Sequence, residues 1–159
     1  MKYTTTSRED TQAFAGKLAQ ALVPGDVVLL YGEIGMGKSV MARAAARALG
    51  VRCAMPSPTF TLMQPYQGDV RVYHLDLYRL SDADEYFAAG LDEYVGSNGI
   101  SFIEWPMDGL GIDGAIQVSI DRGDEFDSRR IDVEAPPGRA EEICAAISAW
   151  EAPNDDIGG

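Results

Sequence analysis

Apolar residues recur every four positions at Phe14, Leu18 and Leu22, which predicts an amphipathic helix over residues 7–22, with Thr6 and Glu9 at capping-box spacing. Pro24 and Gly25 stop that helix. Val27, Val28, Leu29, Leu30 and Tyr31 then form an unbroken apolar run, the pattern of a strand buried on both faces. After a glycine-rich interval, residues 38–49 are mostly Ala, Arg, Met and Leu, which predicts a helix closed by Gly50. Residues 59–66 read as extended, and Gln67-Gly68-Asp69 turns them back into residues 70–76 as an antiparallel hairpin. Ser81 is placed to cap a short helix over residues 82–89, ended by Gly90. Residues 100–105 repeat the buried-strand pattern, and residues 115–120 and 130–134 alternate as edge-type strands do. A last helix over residues 139–150 puts Ile143, Ile147 and Trp150 on one face, and the polar residues 151–159 read as a disordered tail.

These elements describe an α/β chain, and its size changes little in that picture. With 159 residues, 46% of them hydrophobic, it builds one core, so residues 1–150 read as a single domain. No apolar run reaches the roughly 18 residues of a membrane span, and the polar, acid-containing first ten residues resemble no signal or transit peptide. The expected location is the cytoplasm. Cys53 and Cys144 lie far apart among apolar or small neighbours and read as buried free thiols. A formal charge of −12 repels nucleic acid backbones, which excludes a strong grip on RNA or DNA by the chain alone.

The chemistry lies in the glycine-rich interval. Gly32-Glu33-Ile34-Gly35-Met36-Gly37-Lys38-Ser39 fits Gly, four residues, Gly, Lys, Ser or Thr, between a predicted strand and a predicted helix. Glycines at these positions let backbone N–H groups turn inward around a β-phosphate, and the helix start adds the positive end of its dipole. Lys38 supplies a cation for the β and γ oxygens, and Ser39 offers a hydroxyl to Mg²⁺. A metal-bound triphosphate also calls for carboxylates. Glu104, ending one hydrophobic strand, and Asp76, ending another, sit where acids at the carboxyl edge of a sheet face a nucleotide. Either could instead be a solvated strand-end acid. His74, the only histidine, reads as a hydrogen-bonded packing residue rather than a catalyst. Arg43 and Arg47, one helical turn apart, read as a solvated face. Trp105-Pro106 could be a lid, a partner contact or core.

Four ordered segments carry a resemblance: residues 32–39, Ser57-Pro58-Thr59-Phe60-Thr61-Leu62, Tyr73-His74-Leu75-Asp76-Leu77-Tyr78-Arg79-Leu80, and Ile103-Glu104-Trp105-Pro106. Together they resemble the TsaE family, formerly YjeE, bacterial ATPases required for the threonylcarbamoyladenosine modification of tRNA next to the anticodon. The resemblance covers about residues 7–135. It implies a P-loop NTPase-like three-layer α/β sandwich, with a mixed, mainly parallel central sheet and an antiparallel hairpin. It further implies slow, Mg²⁺-dependent ATP hydrolysis that resets a TsaB–TsaD pair, in which TsaD is the transferase. By the same carry-over Gly32, Gly35, Met36, Gly37, Lys38, Ser39 and Val40 hold the nucleotide. Ser39, Glu104 and Asp76 hold the metal, and Lys38, Asp76 and Glu104 are the catalytic set. Thr59 lies in a switch-like segment, Trp105 beside the site, and Arg129 and Arg130 reach toward the nucleotide. The chain departs from the family where Ser39 replaces a usual Thr and Val40 another.

Two rival readings share the loop. A small-molecule kinase usually has an arginine-dense lid, and residues after 104 lack that density. A nucleotide-gated binding module would use ATP to order residues 57–61 for a partner, with no need for hydrolysis.

Overall fold

The structure, a computed structural model, describes residues 1–148. Its strands are β1 (Lys2–Thr5), β2 (Val27–Tyr31), β3 (Met63–Gln67), β4 (Arg71–Asp76), β5 (Ile100–Glu104), β6 (Ile116–Arg122) and β7 (Arg129–Glu134). Its helices are α1 (Arg8–Ala19), α2 (Lys38–Ala48), α3 (Ala83–Ala88) and α4 (Ala140–Ser148). All seven strands of the described residues join one sheet in the order β1-β7-β6-β2-β5-β4-β3. The central strands β4, β5, β2 and β6 are parallel, while β3 and β7 run against their neighbours, so the sheet is mixed with a parallel centre.

The unbroken apolar run of β2 follows from its place in the middle, covered on both faces. Val28 and Leu30 pack with Phe14 and Leu18 of α1, Met41 and Ala45 of α2, and Ile143 and Ile147 of α4. Val27, one residue out of phase, joins Leu75, Ile103, Tyr86 and Leu91 on the opposite face, beneath α3. Helix layer, sheet and second helix layer make the three-layer sandwich expected from the sequence.

The element bounds differ from the sequence expectation in ways the local chemistry explains. Ser7, not Thr6, caps α1: its Oγ accepts from the Asp10 amide at 3.0 Å, while Asp10 takes the Thr6 amide at 2.9 Å. Asp82, not Ser81, caps α3 by accepting from the Glu85 amide at 3.1 Å. Residues 59–62 form a turn, and the strand begins only at Met63. Pro65, which cannot donate to a ladder, fits because β3 is an edge strand. β1 was not expected at all: Lys-Tyr-Thr-Thr carries no apolar run, and its pairing with β7 at the other edge makes it a strand. Both cysteines are free, as expected, but exposed rather than buried. Cys144 sits one residue after the buried Ile143, which turns it off the inner face of α4. The expected tail at residues 151–159, and Trp150, lie outside the described residues. No helix among the described residues is long and apolar enough to cross a membrane.

Candidate functional site

The interval between β2 and α2 is a tight loop whose backbone requires glycine. Gly37, immediately before α2, has φ of 110°, which an L side chain rarely adopts. Gly32 is fixed by contact: a Cβ there would lie 2.7 Å from the carbonyl oxygen of Ile120 in β6. Lys38, first residue of α2, is buried, and its ammonium donates to the carbonyl oxygens of Gly32 and, at 3.1 Å, Glu33. The same ammonium sits 3.9 Å from the centroid of the Trp105 ring, a cation–π contact. Burial pulls the Lys38 pKa below its ordinary value, and the charges of Glu104, Asp76 and Glu33 recover only part of that shift.

The two strand-end acids meet because of sheet register. Period two puts Val72, His74 and Asp76 on one face of β4 and Ile100, Phe102 and Glu104 on the same face of β5. Asp76 is the direct cross-strand partner of Glu104, and His74 is diagonal to it. The Ser39 hydroxyl faces both oxygens of Glu104, at 2.9 and 2.7 Å, and His74 donates from Nε2 to Oε2 at 2.6 Å. Burial alone pushes the Glu104 pKa up. The His74 hydrogen bond and charge, the Ser39 hydroxyl and the Lys38 ammonium together outweigh that, holding the carboxyl below its usual range. Asp76 accepts the Thr59 hydroxyl at 3.2 Å through Oδ2 and the Tyr78 amide at 3.0 Å through Oδ1. His74 is therefore a packing residue with a specific task, that of bonding to Glu104.

Gly35, Gly37, Lys38, Ser39, Asp76 and Glu104 surround one cavity of about 320 Å³, with Val40 and Trp105 completing its wall. Trp105 holds φ at +56°, a conformation costing a non-glycine residue about 1–3 kcal/mol, and stacks obliquely on Tyr78 at 5.0 Å. Met36 lines a second, smaller cavity of about 160 Å³ on the other flank of the loop, with Arg8, Thr11 and Asp127. Of the two neighbouring arginines, Arg129 reaches the loop, donating to the Met36 carbonyl at 2.7 Å. Arg130 faces elsewhere: it pairs with exposed Asp124 at 2.6 Å and lines a groove with Lys2 and Asp132. Its neighbour Arg129 takes the inward position because alternate residues of β7 face opposite sides. Arg8 and Thr11 carried no sequence signal beyond that of an ordinary first helical turn.

The donor set suits a small hard cation. No group of three or more His, Cys, Asp and Glu among the described residues forms an all-protein cage. One hydroxyl and two adjacent carboxylates match the way Mg²⁺ is usually held, by few protein oxygens and the phosphates of its substrate. The residues present fit a metal–nucleotide pair.

A family model described as threonylcarbamoyl adenosine biosynthesis protein TsaE matches residues 5–131. The tRNA threonylcarbamoyladenosine biosynthesis protein TsaE of Bacillus subtilis is 34% identical over 151 residues, covering 93% of this chain and 94% of that protein. Its namesake in Haemophilus influenzae is 35% identical over 125 residues, covering 77% of this chain and 78% of that one. Among solved structures, that of Bacillus subtilis YdiB superposes with a TM-score of 0.78 at 30% identity, covering 96% of both chains.

Proposed function

The chain belongs to the TsaE family, and from that premise we propose that it is an ATP-binding, slowly hydrolysing accessory protein of tRNA threonylcarbamoyladenosine biosynthesis. The observation that carries the nucleotide part is the convergence of Lys38, Ser39, Asp76 and Glu104 on one cavity at the carboxyl edge of the parallel strands. Loop amides and the start of α2 take the phosphates, and Lys38 leaves the loop carbonyls to bridge the β and γ oxygens. Mg²⁺, when bound, neutralises charge developing on the transferred phosphoryl group. Ser39 and Glu104 would hold it, and Asp76 stands beside Glu104 to orient the attacking water. His74 keeps the Glu104 carboxylate turned toward Ser39.

The partners in this reading are TsaB and TsaD, met in the cytoplasm, with residues 1–150 acting as one ATPase domain. The charge of −12 fits a protein that leaves the grip on tRNA to them. Isothermal titration with ATP and Mg²⁺ tests the core of the proposal. One site per chain is expected, with affinity lost severely in Lys38→Ala while the variant stays folded, and hydrolysis raised by added TsaB and TsaD. No heat at millimolar ATP would overturn it.

One observation favours a gated variant of this reading. Thr59 is tied to Asp76 at 3.2 Å, and the next residue, Phe60, is 83% exposed. A nucleotide that engages Asp76 would thus reposition the turn at residues 57–61 for a partner. Partner binding that needs ATP yet survives Asp76→Asn, with hydrolysis abolished, would establish that gating does not require turnover.

A further inference from the structure

Arg129 is the only residue of the described β7 whose side chain spans the gap to the glycine-rich loop, 93 positions away in sequence. Its Nε donates to the Met36 carbonyl at 2.7 Å, and one terminal nitrogen lies 3.5 Å from the Gly35 carbonyl. The other terminal nitrogen donates to the carbonyls of Phe126 and Ser128, both at 2.8 Å. The guanidinium thus bolts the β6–β7 turn to the outer side of the loop.

The consequence follows from peptide planarity. In a trans peptide the carbonyl and the next N–H point in opposite directions. Gly37 lies between the 320 Å³ cavity and the smaller flank cavity that Arg129 lines. A donor that holds the Met36 carbonyl on the Arg129 flank therefore turns the Gly37 N–H away from that flank, toward the larger cavity. Gly37, at φ of 110°, has no side chain to restrict it, so without an external tie this peptide is free to rotate. Pre-oriented amides bind an anion without paying for reorganisation on arrival.

We propose that Arg129 is a positioning residue for the phosphate loop, fixing the Met36–Gly37 peptide so that its amide faces the phosphates, without touching the nucleotide itself. This rests on the reading that the loop binds nucleotide. A planar fork is required, since only a guanidinium satisfies two loop carbonyls and two turn carbonyls at once.

The test uses the full chain with MgADP as probe, by titration calorimetry, beside amide hydrogen exchange of residues 33–38 without nucleotide. Arg129→Met is expected to weaken MgADP binding roughly tenfold and to speed exchange in the loop, the scale of one lost charge-assisted hydrogen bond. Arg129→Lys restores the charge but not the fork, and should recover only part of the affinity. Ser128→Ala loosens the turn at its hydroxyl, which bonds Glu125 and leaves the loop alone, and should bind as wild type. Full recovery by lysine would reduce the effect to long-range charge. A Ser128→Ala loss equal to that of Arg129→Met would reduce it to turn order, and an unchanged affinity in Arg129→Met would remove the role altogether. Each of these overturns the proposal. If wild type fails to bind MgADP, the nucleotide reading falls instead, and exchange in the loop alone then decides whether Arg129 braces it.

Discussion

Glu104 gathers more of the site than any other residue, and its surroundings set a pH dependence. His74, Ser39 and Lys38 hold its carboxyl below the ordinary value of 4.5. A carboxyl depressed on folding contributes stability that is present above its unfolded pKa and lost as the pH falls through its folded one. Urea unfolding from pH 7 to pH 3 should therefore show a steeper loss in the wild type than in Glu104→Gln, whose amide does not titrate. Parallel curves would mean that the depression has no thermodynamic weight. Ser39 makes a second residue-scale expectation. Ser39→Ala removes the hydroxyl that faces Glu104, so nucleotide affinity should lose its dependence on Mg²⁺, read by titration with and without chelator. Sequence alone singled out Lys38, Ser39, Asp76 and Glu104, which the fold brings around one cavity, because a spaced motif and strand-end acids are local signals. It could not show His74 reaching Glu104, which depends on the stagger between two strands brought together by the fold. The choice between Arg129 and Arg130 was hidden for the same reason, because one position of register decides which arginine faces the loop.

At the scale of elements, the loop is held from three sides: by β2 before it, α2 after it and β6 beneath it. Gly32 is the tightest point, with the Ile120 carbonyl where a Cβ would stand. Gly32→Ala should destabilise the fold by about 2 kcal/mol, the range of a strained backbone with a steric conflict, as measured by denaturant midpoint at unchanged slope. Nucleotide affinity should fall with it. Elements buried on both faces or capped by Gly and Pro were readable from the chain: β2 matches the expected run residue for residue, and α2 begins at Lys38 as expected. Elements stabilised by partners were not. β1 owes its existence to β7, and the turn at residues 59–62 keeps the extended composition of a strand while its backbone is bent by Leu62 at φ of 66°. Caps moved by one residue at both helices, to Ser7 and Asp82, because theirs are the side-chain oxygens that accept the Asp10 and Glu85 amides.

Across the whole molecule, the site sits on one edge of a sheet clamped between two helical layers, and distant contacts keep that edge in register. Arg139 at the start of α4 binds Asp26 ahead of β2 through two nitrogens, at 2.5 and 2.9 Å, and also the Ala21 carbonyl. Asp26 is mostly shielded from water, so Arg139→Met leaves a carboxylate without its counter-ion. With partial exposure of the pair taken into account, the loss should be about 2 kcal/mol of stability. Nucleotide affinity at a temperature where the variant is folded should be unchanged, a separation that calorimetry and thermal melting can read together. The central claim concerns where a triphosphate lies. A crystal grown with Mg²⁺ and a non-hydrolysable ATP analogue should show the β-phosphate encircled by the amides of residues 35–39, Lys38 swung from the Gly32 carbonyl onto the phosphates, and the metal beside Ser39 and Glu104. Density for the analogue at any other surface, with Lys38 still bound to the loop carbonyls, would contradict it.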